Sequence, residues 1–328
     1  MELRTTFRID PSKEKLSYNS PAMFIGSCFA SSIGSMMELG RMPNMINPSG
    51  TVYNPVSVCN TLDTITSGKE FTIDDLYHYN ETYLSFYHYT DFSSEDPSEV
   101  LEKINKKSKE AGEFLKNARF LFITLGTARI YKWKETGTVV SNCHKIPASH
   151  FEPGLLTVDE IVKLWSGELD RLNSLFPQLK IIFTISPVRH WKDGAHGNQI
   201  SKSILLLAVE ELLKHPASPQ YFPAYELFMD DLRDYRFYDD DMIHPSQLGI
   251  NYTWDAFTRC YMDSGTINIW NNVVRITKAT RHKINTGSRI KIEKFANSML
   301  QQIYELENIT PSIDFSNERN YFLNLLPN

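Results

Sequence analysis

Three short apolar runs constrain this chain more than any other feature. Met23 to Gly26, Phe120 to Leu125 (FLFITL) and Lys180 to Ile185 (KIIFTI) are rich in β-branched and aromatic residues and lack a polar residue at every second position. A strand with one wet face alternates, whereas a strand that does not alternate must be covered on both faces. The runs therefore predict a parallel sheet with helices on either side. The segments between them supply that cover. Ser98 to Asn117 has helical periodicity, and Thr157 to Phe176 opens with the capping box Thr157-x-x-Glu160 and sets Ile161, Leu164, Trp165, Leu169 and Leu172 on one face. A third helix is expected from about Asn198 to Lys214, with Ile204, Leu205, Ala208 and Leu212 on its stripe. Strands alternating with helices predict a doubly wound α/β fold, three layers deep.

Two stretches break this rhythm. Residues 60–97 are polar and aromatic (DDLYHYNETYLSFYHYTDF) and too irregular for a crossover helix, so they form either a lid over a site or a surface embellishment. After Ser264, Ile292, Phe295, Met299 and Ile303 recur at helical spacing. The expected organisation is one α/β domain over residues 1–262, carrying the aromatic insertion, and a helical C-terminal extension over residues 263–328.

Charge and composition exclude several function classes. The chain has 328 residues, a formal net charge of -5 and a pI near 6.0, so it has no general attraction to phosphates, and a nucleic-acid partner is not expected. Arg275, Lys278, Arg281, Lys283, Arg289, Lys291 and Lys294 read as the wet faces of the C-terminal helices. The first twenty residues contain no signal-like apolar core, and no apolar run is long enough to span a bilayer, which predicts a cytoplasmic protein without membrane contact. Cys28, Cys59, Cys143 and Cys260 are scattered without CxxC spacing, and no histidines show HxxxH spacing, so free thiols are expected and neither a metal nor another cofactor.

Chemistry concentrates in two places. In PAMFIGSCFASSIG, residues 21–34, an apolar run ends in Gly, Ser and Cys and becomes a small-residue helix, a turn able to hold Ser27 or Cys28 at the mouth of a sheet. In YDDDMIHPSQLG, residues 238–249, Asp241 precedes His244 by three positions, so its carboxylate can hold one ring nitrogen and leave the other for a nucleophile. Alone, each motif is weak: Asp-x-x-His occurs in many surface loops, and a Ser after a Gly is often only a helix cap. Consecutive side chains diverge at a strand-to-helix turn, so Ser27 is expected to face His244 and Cys28 to point into the core. Arg189 and His190 follow the third run, where open α/β sheets bind ligands; an arginine there suits an anionic substrate group or a structural ion pair. Tyr53 and Asn54 are candidates for the same crevice, with His144 and His88 as further candidates.

The chain resembles the GSCFA domain family, through GSCFA at Gly26 to Ala30 and through INPSGTVYNP, ITLGTARIY, NCHKIP, TISPVRHWKDG, YFPAYELF and DDDMIHPS, over roughly residues 1–310. That family is similar to the SGNH (GDSL-like) hydrolases. The resemblance implies an SGNH-hydrolase-like, flavodoxin-like sheet with a nucleophile after the first strand, a glycine after the second, an asparagine after the third and a C-terminal Asp-x-x-His. On this sequence these roles fall to Ser27 as nucleophile, Gly50 together with the Ser27 N–H in the oxyanion hole, Asp241 as orienting acid and His244 as base. Gly126-Thr127-Ala128 stands where the pattern has Gly-x-Asn, so the third oxyanion donor is expected from Asn142 in SNCHKIP, or from the Thr127 hydroxyl. The implied activity is hydrolysis of a small O-acyl ester, such as an acetyl group on a carbohydrate, through a Ser27 acyl-enzyme. Acyl transfer would use the same triad, and a catalytically silent binding module is the alternative from another class.

Overall fold

The computed structural model describes residues 4–281 and 288–327. Strand β1 (Ala22–Gly26) leads into helix α1 (Cys28–Leu39), then the short β2 (Asn44–Ile46) and helix α2 (Pro55–Ser67). A small hairpin follows, β3 (Tyr77–Tyr79) and β4 (Thr82–Leu84), before α3 (Pro97–Asn117) and β5 (Phe120–Leu125). A second hairpin, β6 (Arg129–Trp133) and β7 (Phe151–Leu155), precedes α4 (Val158–Leu175), β8 (Lys180–Ile185), α5 (Gly194–Leu212) and β9 (Gln220–Tyr221). The rest is helical: the short α6 (Ala224–Glu226), which runs on as a π turn through Asp231, then α7 (Gln247–Tyr261), α8 (Ser264–Arg281), α9 (Arg289–Ile309) and α10 (Ser316–Leu323).

Five of the strands form one parallel sheet in the order β2-β1-β5-β8-β9. The order reverses between β1 and β5, and such a switch point opens a crevice at the carboxyl ends of the strands. The lack of alternation in the three runs has a direct cause. Phe24, Phe122 and Ile182 point to one face, into a core shared with α1 and α7, while Ile25, Ile123 and Phe183 point to the other, against α2, α4 and α5. Phe24 and Phe122, paired across β1 and β5, stack with ring centroids 4.8 Å apart.

The capping box at Thr157 is formed, its hydroxyl accepting the Glu160 N–H while the Glu160 carboxylate accepts the Thr157 N–H. The expected helix at Asn198 instead starts at Gly194, because Asn198 is a buried residue of its second turn and not a cap. The C-terminal helices add to the first core: Val273, Ile276, Met299, Ile303 and Phe322 join Ile33 and Met37 of α1 and Trp254 and Phe257 of α7. Of the basic residues there, all but Lys283 are exposed on α8 and α9; Lys283 lies outside the described residues.

Residues 60–97 begin inside a helix after all, since α2 runs to Ser67. The remainder is a surface embellishment with a structural use. Its aromatic hairpin packs with the β6–β7 hairpin around Trp133, and Ser141 donates its N–H to the Phe86 carbonyl at 2.7 Å. None of it borders the crevice described below. No described helix is long and apolar enough to cross a membrane.

Candidate active site

The turn after β1 depends on Gly26. Its φ is +140°, and a Cβ there would lie 2.1 Å from the Thr124 carbonyl oxygen of β5, so no side chain fits. Asn47 accepts the Gly26 N–H at 2.8 Å and pins the turn from the other side. Ser27 then stands as the extended N-cap of α1, and Cys28 is its first helical residue.

This placement separates the two candidates for nucleophile. Ser27 is 1% exposed, and its buried hydroxyl has no hydrogen-bond partner among the described residues. Its N–H donates to the Thr124 carbonyl at 3.0 Å. Cys28 is half-buried and lines a cavity of about 450 Å³ at the switch point, together with Tyr53, Asn142, Arg189, His190 and His244. The expectation that Cys28 points into the core is therefore corrected. The difference follows the register of the turn: Cys28, the first residue of the helix, borders the cavity, whereas Ser27 at the cap does not.

The base pair is formed as the spacing predicts. His244 Nδ1 lies 2.6 Å from Asp241 Oδ2, while Asp241 Oδ1 accepts the backbone N–H groups of Ile243 and His244 at 2.8 and 2.9 Å. The bond to His244, supported by those two N–H groups, holds the Asp241 carboxyl down at about 2. Met242, between them, has φ +58°, and the His244 carbonyl is fixed by the Asp239 N–H, so the loop sets the imidazole at the rim of the cavity.

The expected oxyanion donors divide. The N–H of Gly50 is spent on the Asn47 carbonyl at 2.8 Å, as that of Ser27 is on Thr124. Gly50 is required for another reason: its φ is +78°, and a Cβ would come within 2.2 Å of the Tyr89 Cβ. The Thr127 hydroxyl is also committed, paired with Ser201 Oγ at 2.9 Å and accepting the Arg129 N–H. Asn142 fits better. Its Oδ1 accepts the His144 N–H at 2.7 Å, and no acceptor among the described residues meets its Nδ2, which belongs to a side chain lining the cavity. The first N–H groups of α1, from Cys28 and Phe29, also carry no acceptor among the described residues.

The remaining candidates sort by environment. Asn54 lines the cavity but is committed as the cap of α2, bonded to Ser57 through both ends of its amide. Tyr53 contributes its carbonyl to the Gly126 and Thr127 N–H groups, and its ring meets that of His190 edge-on at 5.6 Å. Burial, helped by Lys202, pushes His190 down to about 4, so it is neutral at physiological pH. The side chains of Ser27 and His190 converge on Gly126: a Cβ there would be 3.4 Å from Ser27 Cβ and 3.3 Å from His190 Nε2. Arg189 lines the cavity with a buried Nε that meets no partner among the described residues, and its guanidinium lies 5.7 Å from the Trp191 ring centre. His144 is corrected: it is buried behind the crevice wall, its Nε2 3.0 Å from the Ser85 carbonyl. His88 is likewise buried, beside Ser85 and Phe71.

Sequence reasoning missed Lys202. It is fully buried on α5, with Nζ 2.6 Å from both the Gly126 and Ser186 carbonyls, so it clasps the carboxyl ends of β5 and β8. Burial pushes its amine down to about 7. The signal was present, since Asn198, Ser201 and Lys202 share the face of Leu205, Ala208 and Val209 and are polar residues at apolar positions. A second cavity of about 690 Å³ adjoins the first, shares Arg189, Trp191 and Ile243 with it and is bordered by Tyr235, Tyr238 and Asp241. Among the described residues, no three His, Cys, Asp or Glu side chains cluster to hold a metal.

No similar sequence is found among proteins with curated descriptions. The GSCFA family matches residues 21–257, from the residue before β1 to the last third of α7, which includes both the glycine-pinned turn and the Asp241–His244 loop. The chain belongs to the GSCFA family.

Proposed function

We propose that this crevice hydrolyses a small carboxylic ester through a covalent acyl-enzyme, with His244 as general base and Asp241 holding its ring. The observation that carries this reading is the His244–Asp241 pair opening on a cavity into which the N-terminus of a helix also opens. A nucleophile at the Ser27–Cys28 turn loses its proton to His244 Nε2 as its lone pair forms a bond to the acyl carbon, and the carbonyl π pair moves to oxygen. The unspent N–H groups of α1 and the Asn142 amide are the donors available to that oxyanion. Collapse breaks the bond to the leaving alkoxide, which takes the proton back from His244. Water then repeats the sequence and frees the enzyme.

An O-acyl group on a carbohydrate suits the surroundings. Trp191 and Tyr235 are exposed beside the cavities and offer flat apolar faces, and Arg189 offers donors to a sugar hydroxyl or carboxylate. The adjoining cavity favours a second reading, transfer of the acyl group to an acceptor hydroxyl, because it leaves room for an acceptor beside Asp241. Four free cysteines suit a reducing compartment, in keeping with a cytoplasmic site of action.

The test is turnover of a p-nitrophenyl acetate series. Wild-type turnover should fall by ~10²- to 10⁴-fold in His244→Ala, the usual span for a lost general base. A wild-type rate indistinguishable from that of His244→Ala would leave a ligand-binding crevice without this chemistry.

A further inference from the structure

We infer that the nucleophile of this site is the thiol of Cys28 and not the hydroxyl of Ser27, so that the acyl-enzyme is a thioester. The proposal deepens the acyl-transfer reading, and three independent observations carry it.

The first is access. A nucleophile has to share space with both substrate and base. Cys28 and His244 border the same cavity, whereas Ser27 is buried behind it and does not. The second is the backbone. A nucleophile at the start of a helix commonly places the oxyanion near its own N–H, but the Ser27 N–H already donates to Thr124. The N–H groups of Cys28 and Phe29 are unspent and lie close enough to the Cys28 sulfur to favour its anionic form. Sulfur and oxyanion donors thus coincide at one point, at the positive end of α1. The third is the Ser27 side chain. Its Cβ packs towards Gly126, and among the described residues its hydroxyl has no partner, neither a base to activate it nor an acceptor to orient it.

Burial opposes ionisation and lifts the Cys28 thiol above its ordinary value, an effect that the two N–H groups and the Lys202 ammonium partly offset. The resting residue is therefore a thiol, and it needs a base at the moment of attack. In the step that follows, an S–C bond forms as the S–H proton moves to His244 Nε2. The leaving oxygen departs with that proton, and water later breaks the S–C bond and restores the thiol.

Cys143 supplies an internal control, because it borders the same cavity and burial also raises its thiol. The full-length protein is treated with limiting iodoacetamide at neutral pH, and the Cys28 and Cys143 peptides are quantified by mass spectrometry. Cys28 should react faster than Cys143. His244→Ala should slow Cys28 by ~10²-fold and leave Cys143 unchanged, while Ser27→Ala should alter neither. In a parallel reaction, p-nitrophenyl acetate should leave one acetyl group on the Cys28 peptide, removable by neutral hydroxylamine. Alkylation of Cys28 no faster than of Cys143 and indifferent to His244, or an acetyl group on Ser27, would overturn the assignment. Alkylation that depends on His244 in a protein that turns over no ester would uphold the nucleophile and reject the esterase.

Discussion

His244 Nδ1 and Asp241 Oδ2 are 2.6 Å apart, and the other oxygen of the same carboxylate accepts the N–H groups of Ile243 and of His244 itself. Asp241 thus fixes both the ring and the backbone that carries it. Asp241→Asn should keep the fold and lower turnover by as much as ~10⁴-fold, the scale seen when a triad carboxylate is neutralised. Asp239→Asn and Asp240→Asn should each be nearly silent, and kinetics on the three variants checks the register.

The same carboxylate sets a pH dependence. Its folded value of about 2 lies below the ordinary 3.8, so it contributes stability that is fully present above the ordinary value and lost as pH falls towards 2. Acid denaturation followed by circular dichroism should show Asp241→Asn and wild type differing near neutrality and converging at the acid end.

Asn142 should act chiefly in the transition state. Asn142→Ala should lower kcat by ~10²- to 10³-fold with little change in KM. Thr127→Val removes a hydroxyl tied to Ser201, so it should cost stability, read as a lower Tm, more than kcat.

Lys202→Met orphans two buried carbonyls, at about 1–3 kcal/mol each, and should lower Tm markedly. Between about 7 and the ordinary 10.5, the unfolded chain holds a proton that folded Lys202 has released, so stability rises with pH across that window. The rise should be missing in Lys202→Met, as urea melts at several pH values would show.

Among the described residues the Nε of Arg189 meets no partner, which leaves its guanidinium able to take an anion. Arg189→Ala should raise KM for a uronate ester by about ten- to a hundredfold, the worth of a charged hydrogen bond, and leave a neutral aryl acetate unaffected.

What the sequence makes legible follows the range of the forces involved. β1, β5 and β8 were readable because burial on both faces leaves unbroken apolar runs, and the Asp241–His244 pair because three residues of one loop suffice to build it. The choice between Ser27 and Cys28 was not readable. It depends on how one strand-to-helix turn is seated against Thr124, which lies far along the chain on another strand. Gly50 drew attention by its position in a motif, yet it serves contact with Tyr89. The β3–β4 hairpin gave no periodic signal because its partner is another small hairpin and not the main core.

None of the described residues of the C-terminal helices lines the crevice, yet these helices buttress the two elements that carry it. α1 begins at Cys28 and α7 follows directly on the His244 loop; Trp270 of α8 donates its indole N–H to the Met36 carbonyl of α1 at 2.8 Å and packs on Trp254 of α7 at 5.3 Å between ring centres. α1 and α7 are the two jaws of a caliper, and Trp270 is the pin that ties them, so the helix that opens at Cys28 and the helix that follows His244 share one support from the C-terminal part of the chain.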